Sequence, residues 1–498
     1  MANFAQWFID FFKKFFEDVW TLIKGFFLGF YNLFVGFPIE YVKTFREASQ
    51  SFSFLDWLLS IFFILIFVFL ILMFYIVLIQ LIRRYFRFSK IEYDKMTLLN
   101  QINHLERKIR SGRFTQTKES STSPLTLAKP KQQIAKGSRF TKLNLIDEKY
   151  KYTVLPTYME ESDKLTLNQL INHFRNYASH HHKLYYNEEV MATFIAGMAT
   201  SKLIIIEGIS GTGKTSLPYV FGKFISNDCK IISVQPSWRD RFEMMGYFNE
   251  FTKKFNETEF LSSIYEATYR TDINVILLDE MNLARVEYYF ADFLSLLELP
   301  SSDEWLLEIV PEQLIGDPMN LKEGNIKIPE NIWFVGTANN DDSTFAITDK
   351  VYDRASTIVL NERATPFSAP DTSNIKISYD YLKKLFEEAV EKYSISTKSL
   401  DSLEMLDKYI SKTFQITFGN RIMKQLLEFV PVYIACGRSE IEGIDYLIAR
   451  KIIRKFESLN LPFLKTELEE LLTVFDDLFG DAQLVKSSAL IREYIKRI

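Results

Sequence analysis

Lys214 and Thr215 stand at the end of the run Gly208, Ile209, Ser210, Gly211, Thr212, Gly213, with Ser216 next in line. This is the spacing G-x-x-x-x-G-K-[ST], in which glycines let successive backbone N–H groups turn inward around the phosphates of a nucleotide. In that chemistry Lys214 reaches the β- and γ-phosphates of ATP (or GTP) and the Thr215 hydroxyl ligates Mg²⁺. The loop from Gly208 to Ser216, with the N-terminus of the helix it opens, cradles the phosphates. A second chemical group is the pair Asp279 and Glu280, which ends the apolar run Val275, Ile276, Leu277, Leu278. Asp279 would hold Mg²⁺, directly or through water, and Glu280 would orient and deprotonate an attacking water. A third is Asn339, beyond Ile332, Trp333, Phe334, Val335 and Gly336, Thr337, Ala338. Its amide would hydrogen-bond the attacking water or the γ-phosphate; a turn-forming Asn-Asn-Asp-Asp is the plain alternative.

These residues need a scaffold that brings distant strand tips together. The apolar runs 203–206, 230–234, 275–278, 332–335 and 357–360 read as strands of a parallel sheet, separated by helix-forming stretches. Ligands of open α/β sheets bind at the C-terminal edge, where all three groups fall. From Tyr379 the pattern is helical to the end, with breaks near Ser394, Gly419, Gly437, Pro462 and Gly480. Two segments, Trp238 to Phe248 and Trp305 to Pro329, read as additions to the core, the second as a hairpin.

The 498 residues carry a formal net charge of −4, which excludes a global nucleic-acid signature. Two cysteines, Cys229 and Cys436, fit no metal or disulfide spacing and read as reduced core residues. The triplet His180, His181, His182 reads as a solvated loop, because consecutive residues diverge and no cysteine or carboxylate cluster completes a metal shell. Residues 1–50 are rich in phenylalanine at helical spacing and predict an amphipathic membrane-interface segment. Residues 54–84 predict a transmembrane helix, because 57–82 carry no charge and outspan a hydrocarbon core of about 30 Å. Arg83, Arg84, Arg87 and Lys90 follow, so the expectation is a single-pass bacterial inner- or plasma-membrane protein whose C-terminal bulk is cytoplasmic. Residues 85–142 read as a short coiled coil and a flexible basic linker.

The order of the phosphate loop, Asp279-Glu280, Asn339 and Arg354, followed by a helical tail, resembles an AAA+ ATPase. The runs Leu278-Asp279-Glu280-Met281-Asn282-Leu283-Ala284-Arg285-Val286-Glu287 and Gly336-Thr337-Ala338-Asn339 are similar to the dynein-related, McrB-type branch. In that branch a Met-Asn-x-x-Asp-Arg-Ser signature follows the fourth strand. Here Asn339 and Asp342 match it and Ser343 replaces its arginine, so ATP is the expected nucleotide and GTP the alternative. The resemblance implies an AAA+ α/β domain over 145–365 and a helical lid over 375–498. It implies a homo-oligomeric ring, expected to be a hexamer, in which Arg354 faces the neighbour's nucleotide and Arg421, at a lid helix start, touches the γ-phosphate. A surface Asp353-Arg354 ion pair and an ordinary helix-start arginine are the alternatives. It further implies a motor with an McrC-like or nuclease partner in bacterial defence, contacting nucleic acid indirectly; the rival is a MoxR-like chaperone that remodels protein complexes.

Overall fold

The computed structural model describes residues 138–498 except 340–343 and 363, and, before these, 13–14, 17, 20–21, 24–25, 28–29, 31–32, 36–54, 56–57, 62 and 73. The chain divides into two compact units, Met1–Ala128 and Lys129–Ile498.

In the first unit a helix runs over Phe37–Ala48, with Pro38 in its first turn. Phe45, in its last turn, meets Phe52 and Trp57 edge to face. The expected membrane localisation is corrected here, because among the described residues no helix is long and apolar enough to cross a membrane. The helix Phe37–Ala48, in the stretch expected at the membrane interface, extends about 18 Å over 12 residues and includes Glu40, Lys43, Arg46 and Glu47, too short and too charged to span a bilayer. Most of 54–84, and all of 85–137, lie outside the described residues.

The second unit opens at Ser138. Residues 138–142, the end of the expected linker, are packed into the fold, with Phe140 fully buried. Helix α1 (Lys142–Tyr150) has no cap of its own. The buried carboxylate of Glu257 accepts from the N–H groups of Thr141, Lys142 and Leu143, each at 2.8 Å, and so satisfies donors that a helix start leaves open. Farther along α1, Asp147 accepts from the hydroxyls of Tyr265 and Tyr269 at 2.5 and 2.6 Å and from Met319 N–H at 2.8 Å.

Helix α2 (Leu167–His182) starts at a capping box of Thr166 and Gln169, and α3 (Glu188–Thr200) starts at Asn187. The strands and helices that follow are β1 (Leu203–Gly208), α4 (Ser216–Phe224), β2 (Lys230–Ser233), a hairpin of β3 (Gly246–Asn249) and β4 (Lys254–Glu257), α5 (Glu259–Ala267) and β5 (Asn274–Asp279). Helix α6 (Ala291–Leu296) precedes an insertion of β6 (Leu306–Glu308), β7 (Leu321–Lys322) and β8 (Asn325–Lys327), in which β8 is central. Then come β9 (Ile332–Asn339), α7 (Asp349–Tyr352) and β10 (Ser356–Val359).

The main sheet is parallel, in the order β10-β1-β9-β5-β2. Period-two alternation sends Ile204, Ile206, Leu277 and Val335 to one core and Leu203, Ile205, Ile276, Leu278 and Phe334 to another. Helices cover both faces, which is why the strands read as unbroken apolar runs. The long return connections let β9 lie between the phosphate-loop strand and the acid-bearing strand, with Gly208 opposite Asn339 and Leu278 opposite Gly336.

Beyond Ser378, which caps α8 (Tyr379–Lys392), the chain is helical: α9 (Thr397–Phe414), α10 (Gly419–Ala435), α11 (Glu440–Leu447), α12 (Lys465–Phe479) and α13 (Val485–Arg497). Buried Lys451 ties this helical region to the sheet by donating to the carbonyls of Tyr352, at 2.7 Å, and Ala355. Burial pushes its pKa down to about 7. A parallel α/β sheet with flanking helices and a C-terminal helical region is the coarse architecture expected from the sequence.

Candidate functional site: a phosphate nest facing an acid pair

Between β1 and α4 the backbone must fold tightly against its neighbours. Gly208 has φ +140° and a side chain there would strike the Leu360 carbonyl, while Gly213, at φ +95°, sits against the Tyr186 ring. The Tyr186 hydroxyl donates to the Gly213 carbonyl at 3.0 Å, so the connection between α2 and α3 supports the loop from below. Burial raises the Tyr186 pKa far above its ordinary value, which keeps that hydroxyl a donor. Lys214 is buried and its ammonium donates to the carbonyls of Gly208 and Ile209 at 2.9 and 2.8 Å.

Across the cleft, the Thr215 hydroxyl donates to Asp279 Oδ1 at 2.8 Å. Thr337, on the intervening β9, donates to the same oxygen at 2.8 Å and accepts from the Glu280 N–H at 2.8 Å. Thr337 therefore fixes both acids at once. Glu280 is exposed and held at φ +53°, a left-handed conformation that a side chain other than glycine adopts at some cost. That turn carries its carboxylate off the sheet edge. Asn339 ends β9 half-buried; its N–H donates to Asn282 Oδ1 at 3.3 Å and its carbonyl accepts from Asn282 Nδ2 at 2.8 Å. Asn282 also bonds Thr344 and Phe345, so it pins both ends of the segment that leaves β9.

One cleft of about 690 Å³ is lined by Thr337 together with Lys183, Leu184, Tyr185, Tyr186, Ala364 and Pro366. Ser210, Gly211, Thr212, Gly213, Lys214, Thr215, Ser216, Asp279, Glu280 and Asn339 are all on its wall. Gly208 and Ile209 contribute the carbonyls that hold Lys214. The donor set fits Mg²⁺ bound to a nucleotide: a hydroxyl and a carboxylate oxygen 2.8 Å apart beside a phosphate cradle is hard-oxygen chemistry.

Arg354 and Arg421 are not among the cleft-lining residues. Both meet Glu298, after α6: Arg354 Nε lies 2.7 Å from Oε2, and Arg421 reaches Oε1. Arg354 also donates to the Lys350 carbonyl at 2.9 Å. One carboxylate thus joins an arginine before β10 to an arginine opening a helix of the C-terminal region. Asp342 and Ser343 lie outside the described residues.

Thr337, Tyr186, Asn282 and Glu298 carry no role in the sequence reading. The one signal for Thr337 was its position two residues before Asn339, on the same face of the strand. Nothing in the sequence marks Tyr186 or Glu298, because their partners lie 27 and 56 residues away or more. Cys229 and Cys436 are buried free thiols, as expected, and burial pushes the Cys229 pKa up to about 12. The histidine triplet is not in a loop but on the last turn of α2.

No family model and no curated protein matches the sequence. Among solved structures, a "putative ATPase" from Cytophaga hutchinsonii aligns with a TM-score of 0.42 at 14% identity, over 66% of this chain and 98% of that one. The cleft is therefore read from its own geometry: a glycine-rich loop and a buried lysine facing two acids and an amide on neighbouring strand tips.

Proposed function

We propose that this chain is an AAA+-type, Mg²⁺-dependent P-loop ATPase that hydrolyses the β–γ phosphoanhydride. The observation that carries the reading is the convergence of Lys214, Thr215, Asp279, Glu280 and Asn339 on one cleft, with Thr215 and Asp279 already hydrogen-bonded at 2.8 Å. Lys214 exchanges its loop carbonyls for phosphate oxygens, and the inward N–H groups of 209–215 receive the remaining charge. Thr215 and Asp279 would hold Mg²⁺, which would supply charge neutralisation to the phosphates. Glu280 takes a proton from water as the water oxygen bonds to the γ-phosphorus. The bond to the bridging oxygen breaks, and that oxygen leaves with ADP. Asn339 orients the water from the strand between the two motifs.

Glu280→Gln tests this reading directly. Hydrolysis falls roughly 10²–10⁴-fold while ATP binding is retained, so the variant traps nucleotide. Turnover at the original rate would exclude Glu280 as the base.

The finer reading is a homo-oligomeric ring of the McrB-type branch, supported by the motif order from Leu278 to Glu287 and at Asn339. In it, Arg354 leaves Glu298 on assembly and stabilises charge at the neighbour's γ-phosphate. The motor then drives a partner of the McrC or nuclease class, through which nucleic acid is engaged. Mixing inactive Arg354→Ala with inactive Glu280→Gln restores activity if sites are shared, because some interfaces then pair an intact base with an intact arginine. Mixtures no more active than their components would exclude the shared site.

A further inference from the structure

The last turn of α2 and the connection from β10 to α8 meet at a cluster that the nucleotide reading does not use. His180 Nε2 lies 3.6 Å from Asp371 Oδ1, and His181 Nε2 lies 3.2 Å from the same oxygen. All three potential ligand atoms fall within 4.8 Å of one another. A tetrahedral ion bound to nitrogen and oxygen at about 2.0–2.1 Å holds its ligand atoms roughly 3.3–3.4 Å apart; the two edges to Asp371 bracket that value, and the edge between the histidine nitrogens, within 4.8 Å, closes to it by rotation of the rings. Consecutive histidines diverge along a regular helix, but here they occupy its end and their ring centroids are 4.9 Å apart.

We propose that His180, His181 and Asp371 form a divalent transition-metal site of the Zn²⁺ class, fastening the 361–378 connection to the end of α2. Two imidazoles and one carboxylate suit Zn²⁺ better than Mg²⁺ or Ca²⁺, which prefer all-oxygen shells. His180 Nδ1 faces the Ala369 carbonyl at 3.4 Å. Donation there leaves Nε2 as the lone-pair nitrogen turned to Asp371, the orienting arrangement that ligating histidines use. His181 Nε2 contacts the Thr372 carbonyl at 2.9 Å. On binding, His181 gives up that contact and its ring proton passes from Nε2 to Nδ1, which leaves the Nε2 lone pair for the ion. The helix C-terminus adds a partial negative charge that favours a cation, while Lys183, which caps the His180 carbonyl at 3.0 Å, points its ammonium to the same helix end and opposes it.

The location gives the site a consequence. Lys183 to Tyr186 follow the histidines directly, Ala364 and Pro366 precede Asp371, and both segments form walls of the nucleotide cleft. The Ser179 hydroxyl already donates to the Phe367 carbonyl at 3.2 Å, and Arg175 stacks 4.1 Å from the Phe367 ring. A bound ion would add a bond of higher strength to the same seam and narrow the spread of cleft widths.

The test uses the full chain, tag removed, stripped of nucleotide and metal. Zn²⁺ titration by calorimetry should show one ion per chain, and Co²⁺ should give visible bands of tetrahedral intensity. Asp371 is three-quarters exposed, so Asp371→Asn leaves packing intact and should weaken Zn²⁺ at least about 100-fold; His180→Ala should do the same. Asp279→Asn, at the nucleotide cleft, should leave Zn²⁺ affinity unchanged, which separates failure of this site from failure of the ATPase reading. No saturable Zn²⁺ binding by the folded chain, or binding that survives Asp371→Asn, overturns the proposal.

Discussion

The two edges of the parallel sheet hold their acids by hydroxyls, but only the N-terminal one sets a cation, Lys383, against its acid among the described contacts. At the N-terminal edge, Glu330 just before β9 accepts from the Ser302 hydroxyl, from the Tyr379 hydroxyl at 2.6 Å and from Lys383 at 3.1 Å. Lys202, before β1, donates to the Glu330 carbonyl at 2.5 Å and lies 3.6 Å over the Trp333 ring. There the chain supplies the counter-groups, and the hydroxyls of Ser302 and Tyr379 hold the Glu330 carboxyl down at about 2. At the C-terminal edge Asp279 is held by two hydroxyls and Lys214 by two loop carbonyls. Lys383 brings a cation to the Glu330 carboxylate, whereas the bonds to Asp279 come from the hydroxyls of Thr215 and Thr337, which fix its position for a ligand. The first edge joins the sheet to α8; the second faces a cleft with its charges set for a ligand.

If that contrast is right, substitutions at the two edges separate cleanly into binding effects and stability effects. Lys214→Ala, the largest effect, should weaken ATP roughly 10²–10³-fold in an equilibrium titration, with little change in melting temperature. Should it unfold the chain instead, the lysine would be structural, like Lys202. Thr337→Val comes next. It removes one hydroxyl that serves both acids, so turnover should fall about tenfold through misplacement of Asp279 and Glu280, with a smaller change in ATP affinity. Equal losses in kcat and in binding would mean that Thr337 supports the fold rather than the acids. The smallest effect is at the other edge. Glu330 has its pKa lowered from 4.5 to about 2, so its contribution to stability is present above about pH 4.5 and is lost as pH falls through about 2. Glu330→Gln should therefore melt about 2–4 °C below the parent chain at pH 7, with no change in ATP affinity. The gap should close as pH approaches 2; a gap independent of pH would assign it to packing.

The C-terminal edge was legible in the sequence because its residues sit on strand tips. Four apolar residues running into Asp279 and Glu280 specify both an element and its end, while the run 332–335 specifies β9, which continues past it to Asn339. The sheet order makes those ends neighbours. Arg354 and Arg421 differ in kind. Their positions at element starts were readable, but their partner Glu298 depends on how the helical region packs against the sheet, which local periodicity does not encode. The same limit hid the approach of Asp371 to the histidines from 190 residues away. Trp238 to Phe248 was read as an addition after β2, but it reaches only into β3; the partner strand β4 and the exposed tip at Phe251 lie beyond it. The long apolar run near residue 60 was read as a membrane span by length and composition alone. The described helices do not supply one.

The way α1 is fastened determines where the domain takes mechanical load. Tension along the chain before Ser138 is borne by bonds arranged side by side: Phe255 N–H to the Arg139 carbonyl at 2.8 Å, the three N–H groups on Glu257, and the Arg139 guanidinium on Asp317 at 2.7 Å. Bonds in parallel share a shearing force, whereas bonds in series break singly, each under the full load. All of these anchors lie on β4 or in the insertion before β9, and none lies on β1. The first bonds that a pull from the N-terminal side would load are thus on β4 and in the insertion, not on the strand that leads into Gly208.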